Sequence, residues 1–585
     1  MLPVYHSYKV KIRNNPFKTE DGKEFENTAA ISFFDENKKE LSYVELGYID
    51  TEDIYKLIDE GKDIDIDYCY CENFSLSTFR KSRGLKKDQY IQIRSFSAKE
   101  TIFDTHSKND FSYGEFIQSP LNFNNAAFLN GPIDFHSSKF GATGIDFSYV
   151  HTKDGNLDFS NTTFGDGELN FKNTILGNGY KNFDDAKFGT GRVTFTNADF
   201  NNGNVSFVNT DFNNGEVSFK IARFGDGKID FRFAKFGEGN MSFERTEFGH
   251  GKVDFSKVDF HDGKINFNRT FFGVGDISFE GCSLNSGKIT FNSAEFNSGD
   301  MNFDYLEFEH SDITFDKAKF GEGKVSFYGT KAHILSFKST IFSDHFDLRV
   351  AKCSYIDLSG VVVRDLVELK PSEFPVEIKY LNLTGLCLLG RIYMDWKANN
   401  VEKLITDQKK TNNREKSEQF RILKQNFNAN GNYDYEDKAY VLFKRYEERA
   451  ELQEALISKP KVAVLHYSMF ALKWLLYDKM GKYATDPFRV LLSAALTLLF
   501  FSVLHFIVFM YNSEAYGNID PKNQLDIISQ FGATVYYSTI TFFTVGYGEI
   551  LPLTGAARLV AGLEPFFGVF MMSYFTVAFA RKILR

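Results

Sequence analysis

The chain has 585 residues, 68 Lys and Arg against 77 Asp and Glu, and a formal net charge of −9. That length exceeds a single core, so roughly three to five units are expected. The acidic balance, with basic residues scattered rather than striped, argues against a nucleic-acid partner. The five cysteines are also scattered, which fits a reducing compartment.

The first residues, MLPVYHSYKVKIRNN, lack the basic, apolar and small-residue zones of an export signal. The long N-terminal part is therefore expected in the cytoplasm. Residues 1–91 read as a small α+β cap domain with one short helix, Thr51 to Glu60, N-capped by Thr51. Cys69-Tyr70-Cys71 reads as alternating strand residues, because no second cysteine pair or His cluster follows to complete a metal site.

A repeat follows. Every twelfth residue from Phe111 to Phe327 is Phe, 19 positions without exception. A second row, five residues later, runs from Phe116 to Phe320, broken only by Thr152, Leu176 and Leu284. Ile, Val, Leu or Met stands two residues before nearly every Phe of the first row; Asn109 and Lys181 break the rule. Small or β-branched residues such as Ala198, Thr210, Ala222, Ala234 and Thr246 often stand two residues before the second row. Positions i−2 and i share one face of an extended segment, so each unit is two short strands. Gly203, Gly215, Gly227, Gly239, Gly251 and Gly263 fall at one fixed corner. Such a corner needs a positive φ or a close backbone approach.

The triplets TDF, ARF, AKF and TEF resemble the A-x-[LF]-x-x units of the pentapeptide-repeat family. The resemblance implies a right-handed quadrilateral parallel β-helix over residues 92–370, here with two extra residues at alternate corners. Coils of 24 residues are expected, with a flatter 12-residue coil as the alternative. The regular repeat corresponds to about nine coils and a rod of about 45 Å. Its G-x-G corners open no helix and so are not phosphate loops. Some pentapeptide-repeat proteins mimic DNA, but the mixed charge of this repeat gives no uniform anionic stripe.

Residues 371–487 read as a helical linker. Phe420, Leu423 and Phe427 mark one helical face, and Tyr435, Ala439, Leu442 and Tyr446 a second. NANGNYD separates them, with Gly431 as the left-handed residue after the first helix. The pair resembles a single TPR-type pair. FRILKQNFNANGNYDYEDKAYVLFKR is also similar to the linker of membrane proteins that carry pentapeptide repeats. Val462 to Leu476 is too short to span a bilayer of about 30 Å. Lys473, Trp474, Tyr477 and Lys479 suit the headgroup layer, so an interfacial helix is expected, with a buried soluble helix as the alternative.

Residues 488–585 change character. Val490–Met510 carries no charge, and Leu559–Ala580 is interrupted only by Glu564 and Pro565; each is long enough to span. Lys479, Lys482 and Arg489 precede the first span, and Arg581, Lys582 and Arg585 follow the second. The positive-inside rule then predicts a two-span protein of the cell membrane with both termini cytoplasmic. Between the spans, TFFTVGYGE, Thr541 to Glu549, matches the T-x-x-T-x-G-Y-G signature of potassium channels.

This part resembles a two-transmembrane potassium channel. The resemblance implies an all-α pore domain in which a pore helix, Ser529 to Phe543, leads into a filter. K+ would be held by the backbone carbonyls of Thr544, Val545, Gly546 and Tyr547, with the Thr544 hydroxyl at the inner end. One chain supplies one wall, so a homotetramer is implied. Thr541, Gly548, Glu549, Tyr536, Tyr537 and Glu564 are expected to support the filter. Tyr536 and Tyr537 stand where relatives carry an aromatic pair. Glu549 replaces the usual Asp, Ile540 stands where some relatives have Glu, and Phe543 where many have a second Thr. These departures bear on conductance and inactivation. Gly568 falls at the family's hinge glycine, and Pro565 adds a kink. An intramembrane carboxylate such as Glu564 needs a partner and is expected near the pore-helix end.

No regular Arg series is present, so no dedicated voltage sensor is expected. Control by the cytoplasmic part is expected to reach the pore through the first span. The reading is a potassium-selective channel, not an enzyme, with no cofactor and K+ as the permeant ion. Its β-helix would sense or dock a cytoplasmic ligand or protein. The alternative is a membrane-anchored β-helix scaffold with a non-conducting pore.

Overall fold

A computed structural model describes residues 5–20, 22–118, 121–141, 144–518 and 527–584. The chain forms two units, Met1–Gln408 and Lys409–Arg585. Of the basic residues flanking the spans, Arg585 lies outside the described residues.

The first unit is a parallel β-solenoid of about 14 turns over residues 47–393. At about 4.8 Å per turn this is a rod of roughly 65 Å. The coil is 24 residues: Val205 pairs with Ile229 and Ile229 with Val253, all in parallel register. Four ladders run along it. Two are continuous sheets of 13 and 14 strands. The other two alternate short strands with isolated bridges, such as Thr163 with Lys187 and Lys187 with Asp211.

The two Phe rows fill the interior. Consecutive first-row residues belong to opposite ladders. Phe195 therefore stacks on Phe219, with ring centroids 4.8 Å apart and planes 4° from parallel. It meets Phe207 edge-on at 5.9 Å and 78°. Offset stacks within a column and edge-to-face contacts between columns are the two geometries that aromatic rings favour. The small residues before the second row sit inside the corners. Buried Thr210 and Thr246 donate their hydroxyls to the carbonyls of Phe183 and Phe219, one coil away.

From Gly203 to Gly263 the glycine corners work by space and not by φ. A Cβ on Gly239 would lie 2.0 Å from the carbonyl oxygen of Gly215, and one on Gly251 2.0 Å from that of Gly227. Stacked backbone leaves no room there. The left-handed residues lie elsewhere, two positions after each first-row Phe, as in Asn209 (φ 55°), Ile221 (59°) and Phe233 (62°). Each is the third residue of a turn closed by a bond such as Thr210 N–H to Phe207 carbonyl at 3.2 Å, the pattern of a type II turn. Asp or Asn before the Phe often secures the turn: Asp146 Oδ1 accepts from Ser148 N–H and Asp158 Oδ1 from Ser160 N–H.

The sequence pattern fades by Val367, but the ladders continue to Arg391–Tyr393. Val363, Val367 and Leu369 replace Phe in the core there. At the other end three antiparallel strands, Ser7–Arg13, Asn27–Phe34 and Glu40–Ile49, join the rod where Gly47 pairs in parallel with Cys69. Cys69 and Cys71 are buried strand residues. Helices α1 (Thr51–Asp59) and α2 (Leu76–Ser82) lie in this first part. The cap of α1 is Asp50, which accepts from Glu52 N–H, and not Thr51. The Thr51 hydroxyl is engaged instead with the Glu72 carbonyl. Helix α3 (Val401–Thr406) covers the last coil with Val401, Leu404 and Ile405 buried, which closes an otherwise open edge.

The second unit is helical. Helices α4 (Asn413–Ala429) and α5 (Tyr433–Ser458) form a hairpin. A capping box between Asn412 and Glu415 opens α4, and Gly431 at φ 71° follows its end. Helix α6 (Ala463–Lys473) runs into a π-turn, Trp474–Lys479. Among its side chains none is buried; Val464 is 81% exposed. Within this unit α6 is therefore not the buried soluble helix. Helix α7 (Pro487–Tyr511), α8 (Ile527–Phe542) and α9 (Gly555–Ile583) complete the unit. Of these, α7 and α9 are long and apolar enough to cross a membrane.

Candidate functional site

Helix α8 stands against both long helices. Its Ser538 hydroxyl lies 3.2 Å from the Leu498 carbonyl of α7 and also contacts the Glu564 carboxylate of α9. Phe542 packs with Val490, Met571 and Ala578. At its C-terminal end the backbone turns sharply. Thr544 N–H donates to the Thr541 carbonyl, and Val545 N–H to the Ile540 carbonyl at 2.8 Å.

Every second residue of the next stretch is left-handed: Thr544 at φ 54°, Gly546 at 60° and Gly548 at 80°. Two of the three are Gly, the residue that adopts this region without strain. All residues from Phe543 to Glu549 are exposed in the single chain. Thr544, Val545, Gly546 and Tyr547 thus form one bare strip at the C-terminal end of α8. That end carries the negative pole of the helix dipole and favours a cation nearby.

The strip is braced from outside. The Tyr536 hydroxyl donates to the Glu549 carboxylate, and Asn518 Nδ2 donates to the Glu549 carbonyl at 2.7 Å. Tyr516–Gly517 pairs antiparallel with Leu551–Pro552, joining the segments before and after α8. Tyr537 is buried against His505 and Tyr516, with centroids at 5.0 and 5.3 Å. The two tyrosines therefore face different partners. The Thr541 hydroxyl bonds back to the Tyr537 carbonyl within α8. Ile540 lies in an apolar cluster with Phe509, Tyr516, Tyr537 and Ala557.

Glu564 is fully buried and partnered. Besides Ser538, its carboxylate lies 3.0 Å from His505 Nε2. His505 Nδ1 lies 2.5 Å from the Tyr516 hydroxyl. A neutral imidazole satisfies both neighbours, with Nε2–H donating to the carboxylate and Nδ1 accepting the phenol. One chain of polar groups thus ties α7, α8, α9 and the segment after α7. Sequence reasoning found Glu564 and missed Ser538, Tyr516 and the pairing with His505. The signal was the single His in one apolar run and the single carboxylate in the other.

Pro565 lies inside α9, which continues unbroken through it. Gly568 meets the end of α8: a Cβ there would lie 1.8 Å from the Phe542 carbonyl oxygen. Space is the local reason for this glycine.

The hairpin reaches the second span as well. Arg581 at the end of α9 pairs with Asp437 of α5 at 2.9 Å, and Lys582 with Asp434 and Asp437 at 3.1 Å. The hairpin therefore contacts the end of α9 as well as leading toward α7. Two cations in the last turn of α9 face an acidic first turn of α5, a pairing that both helix dipoles favour.

Residues 493–585 match the model of a family described as ion channel. No curated protein and no solved structure matches the chain. The match indicates an ion-channel domain in residues 493–585, and with two helices long and apolar enough to span it points to a membrane protein.

Proposed function

We propose that the protein is a homotetrameric, K+-selective channel of the cell membrane with both termini in the cytoplasm. The carrying observation is the left-handed residue at every second position of Thr544–Gly548. Such alternation rotates successive peptide planes so that their carbonyls face one way. A row of carbonyl oxygens can replace the water shell of K+. The row belongs to Thr544, Val545, Gly546 and Tyr547, with the Thr544 hydroxyl at the inner end. One strip is one wall, and four chains around an axis enclose the ion.

Glu549, Tyr536 and Asn518 hold the outer end of the strip, and Thr541 and Gly548 shape its two ends. Gly568 and Pro565 are the places where the second span would bend. The β-solenoid docks or senses a cytoplasmic ligand or protein, and no nucleic acid and no cofactor take part.

The test is purified full-length protein in liposomes under a K+ gradient. A reversal potential that follows K+ and ignores Na+ supports the reading. Gly546→Ala should remove that preference while tetramers still form, as read by native mass. A reconstituted tetramer that passes no K+ would instead favour a membrane-anchored scaffold.

A further inference from the structure

The junction between the hairpin and the first span carries an unusual backbone. Lys482, Tyr483 and Ala484 have φ of 46°, 57° and 61°. Three successive non-glycine residues in the left-handed region form a turn that L-residues avoid. Such strain persists only where surrounding contacts determine it, and here the contacts come from three helices.

From α9, the Tyr574 hydroxyl donates to the Tyr477 carbonyl at 2.8 Å and accepts from Ala484 N–H at 3.1 Å. A single hydroxyl of the second span thus bridges the π-turn and the end of the left-handed turn. From α5, Arg445 makes a two-pronged pair with Asp478 at 2.8 and 3.0 Å. Ahead of α7, Gly481 packs on Tyr574 and Val490; a Cβ there would lie 2.7 Å from the Tyr574 ring. Seven residues beyond Tyr574, Arg581 lies over the Tyr440 ring at 4.5 Å. It pairs there with Asp437 and, at 3.6 Å, with Glu436. Glu436 and Asp437 are buried. Buried pairs hold geometry far better than exposed ones, because breaking one strands a charge.

We propose that these two contacts are a latch on the cytoplasmic end of the second span: Tyr574 on the left-handed turn, and Arg581 with Lys582 on the acidic start of α5. The latch rests on the channel reading and adds how its open probability is set. In the state described here the inner helix is held to the hairpin at both points. Movement of the α9 end must release Tyr574 from the turn and Arg581 from Asp437 together. Strain stored in Lys482–Ala484 favours release once either contact goes. The hairpin is thereby a lever on α9 itself. Tyr574, Arg581 and Asp437 are positioning residues in this scheme, since none touches the conduction strip.

Full-length protein in planar bilayers tests this with Y574F, D437R, R581D and the double swap D437R/R581D. The three single changes should shift the ratio of open to closed time at least tenfold, all in one direction. The double swap should recover part of the shift, because Lys582 and Glu436 stay in place beside it. Single variants that form tetramers and match wild-type gating within twofold overturn the latch, as does a double swap that restores nothing. A double-mutant cycle on thermal unfolding reads the Asp437–Arg581 contact without any current, and zero coupling there overturns the latch too. Wild-type K+ flux decides the channel reading separately.

Discussion

His505 Nε2 in the first span and the Glu564 carboxylate in the second lie 3.0 Å apart, both fully buried. Neither would be tolerated alone in a bilayer. Loss of the carboxylate leaves the buried His505 N–H without an acceptor, which costs roughly 1–3 kcal/mol. Glu564→Ala should therefore lower the thermal midpoint of the detergent-solubilised protein by several degrees. Glu564→Gln keeps a group that accepts from His505 and should stay within about 1 kcal/mol of wild type. Equal losses for Ala and Gln would mean that charge, and not hydrogen bonding, holds the pair.

Gly568→Ala separates two roles. If Gly568 served only as a flexible point in α9, Ala would stiffen the helix and stabilise it by about 1 kcal/mol. The Phe542 carbonyl, 1.8 Å from the new Cβ, predicts the opposite. Overpacking of this kind costs about 1–3 kcal/mol and should push α8 and the strip after it out of place. Thermal stability and K+ flux are both expected to fall; a rise in the midpoint with normal flux would restore the hinge explanation.

Tyr536→Phe removes one hydroxyl, the donor to Glu549. The strip would lose a brace at its outer end without losing packing. Faster decay of K+ current during sustained opening is expected, with unchanged tetramer yield. Current that decays as in wild type would remove Tyr536 from the filter support.

Lys181 points into the rod where neighbouring coils carry Leu157 and Val205. Its ammonium donates to the Gly177 and Phe200 carbonyls. Burial lowers it from the ordinary lysine value to about 8. The unfolded chain then binds more protons than the folded one above about pH 8 and up to the ordinary value, so stability rises with pH across that window. Below it the full cost of the buried charge, roughly 3 kcal/mol, is present. Lys181→Leu should raise the midpoint at pH 7 and flatten the rise between pH 8 and 10. A wild-type midpoint level across that window would contradict the assignment.

Phe219 is sandwiched between Phe195 and Phe243, each 4.8 Å away. Phe219→Ala should cost about 3–5 kcal/mol. Because each coil touches only its neighbours, the loss should stay local. Limited proteolysis is expected to gain a site near residues 195–243, with the rest of the rod resistant.

Much of the rod was legible because its interior repeats strictly. The Phe rows and the small corner residues announce period, coil and inward face together. The turns were less legible. The left-handed sites are filled by Asn, Tyr, Ile, Arg and Phe as well as Gly, so no residue type marks them; the backbone pairing of adjacent coils imposes them. The last coils escaped because Val, Leu and Ile fill their cores and lack the contrast that Phe gave. In the second unit TVGYG marked the stretch in which left-handed residues alternate. The polar chain behind it was not legible, since Glu564, Ser538 and His505 meet only after three helices pack. The same holds for the α5 acids and the last turn of α9, some 140 residues apart in sequence.

The 24-residue coil has a consequence for how such a rod can change. Duplicating one 12-residue unit would keep every Phe inside yet carry all later strands to the opposite side of the perimeter. The chain would then leave the last coil half a revolution away from where it leaves now. Duplicating two units would add one storey of about 4.8 Å and leave that bearing untouched. Reach and bearing are therefore separate settings, the first counted in units and the second fixed by whether the count is odd or even. A chain in which the exit must face one way can grow only two units at a time.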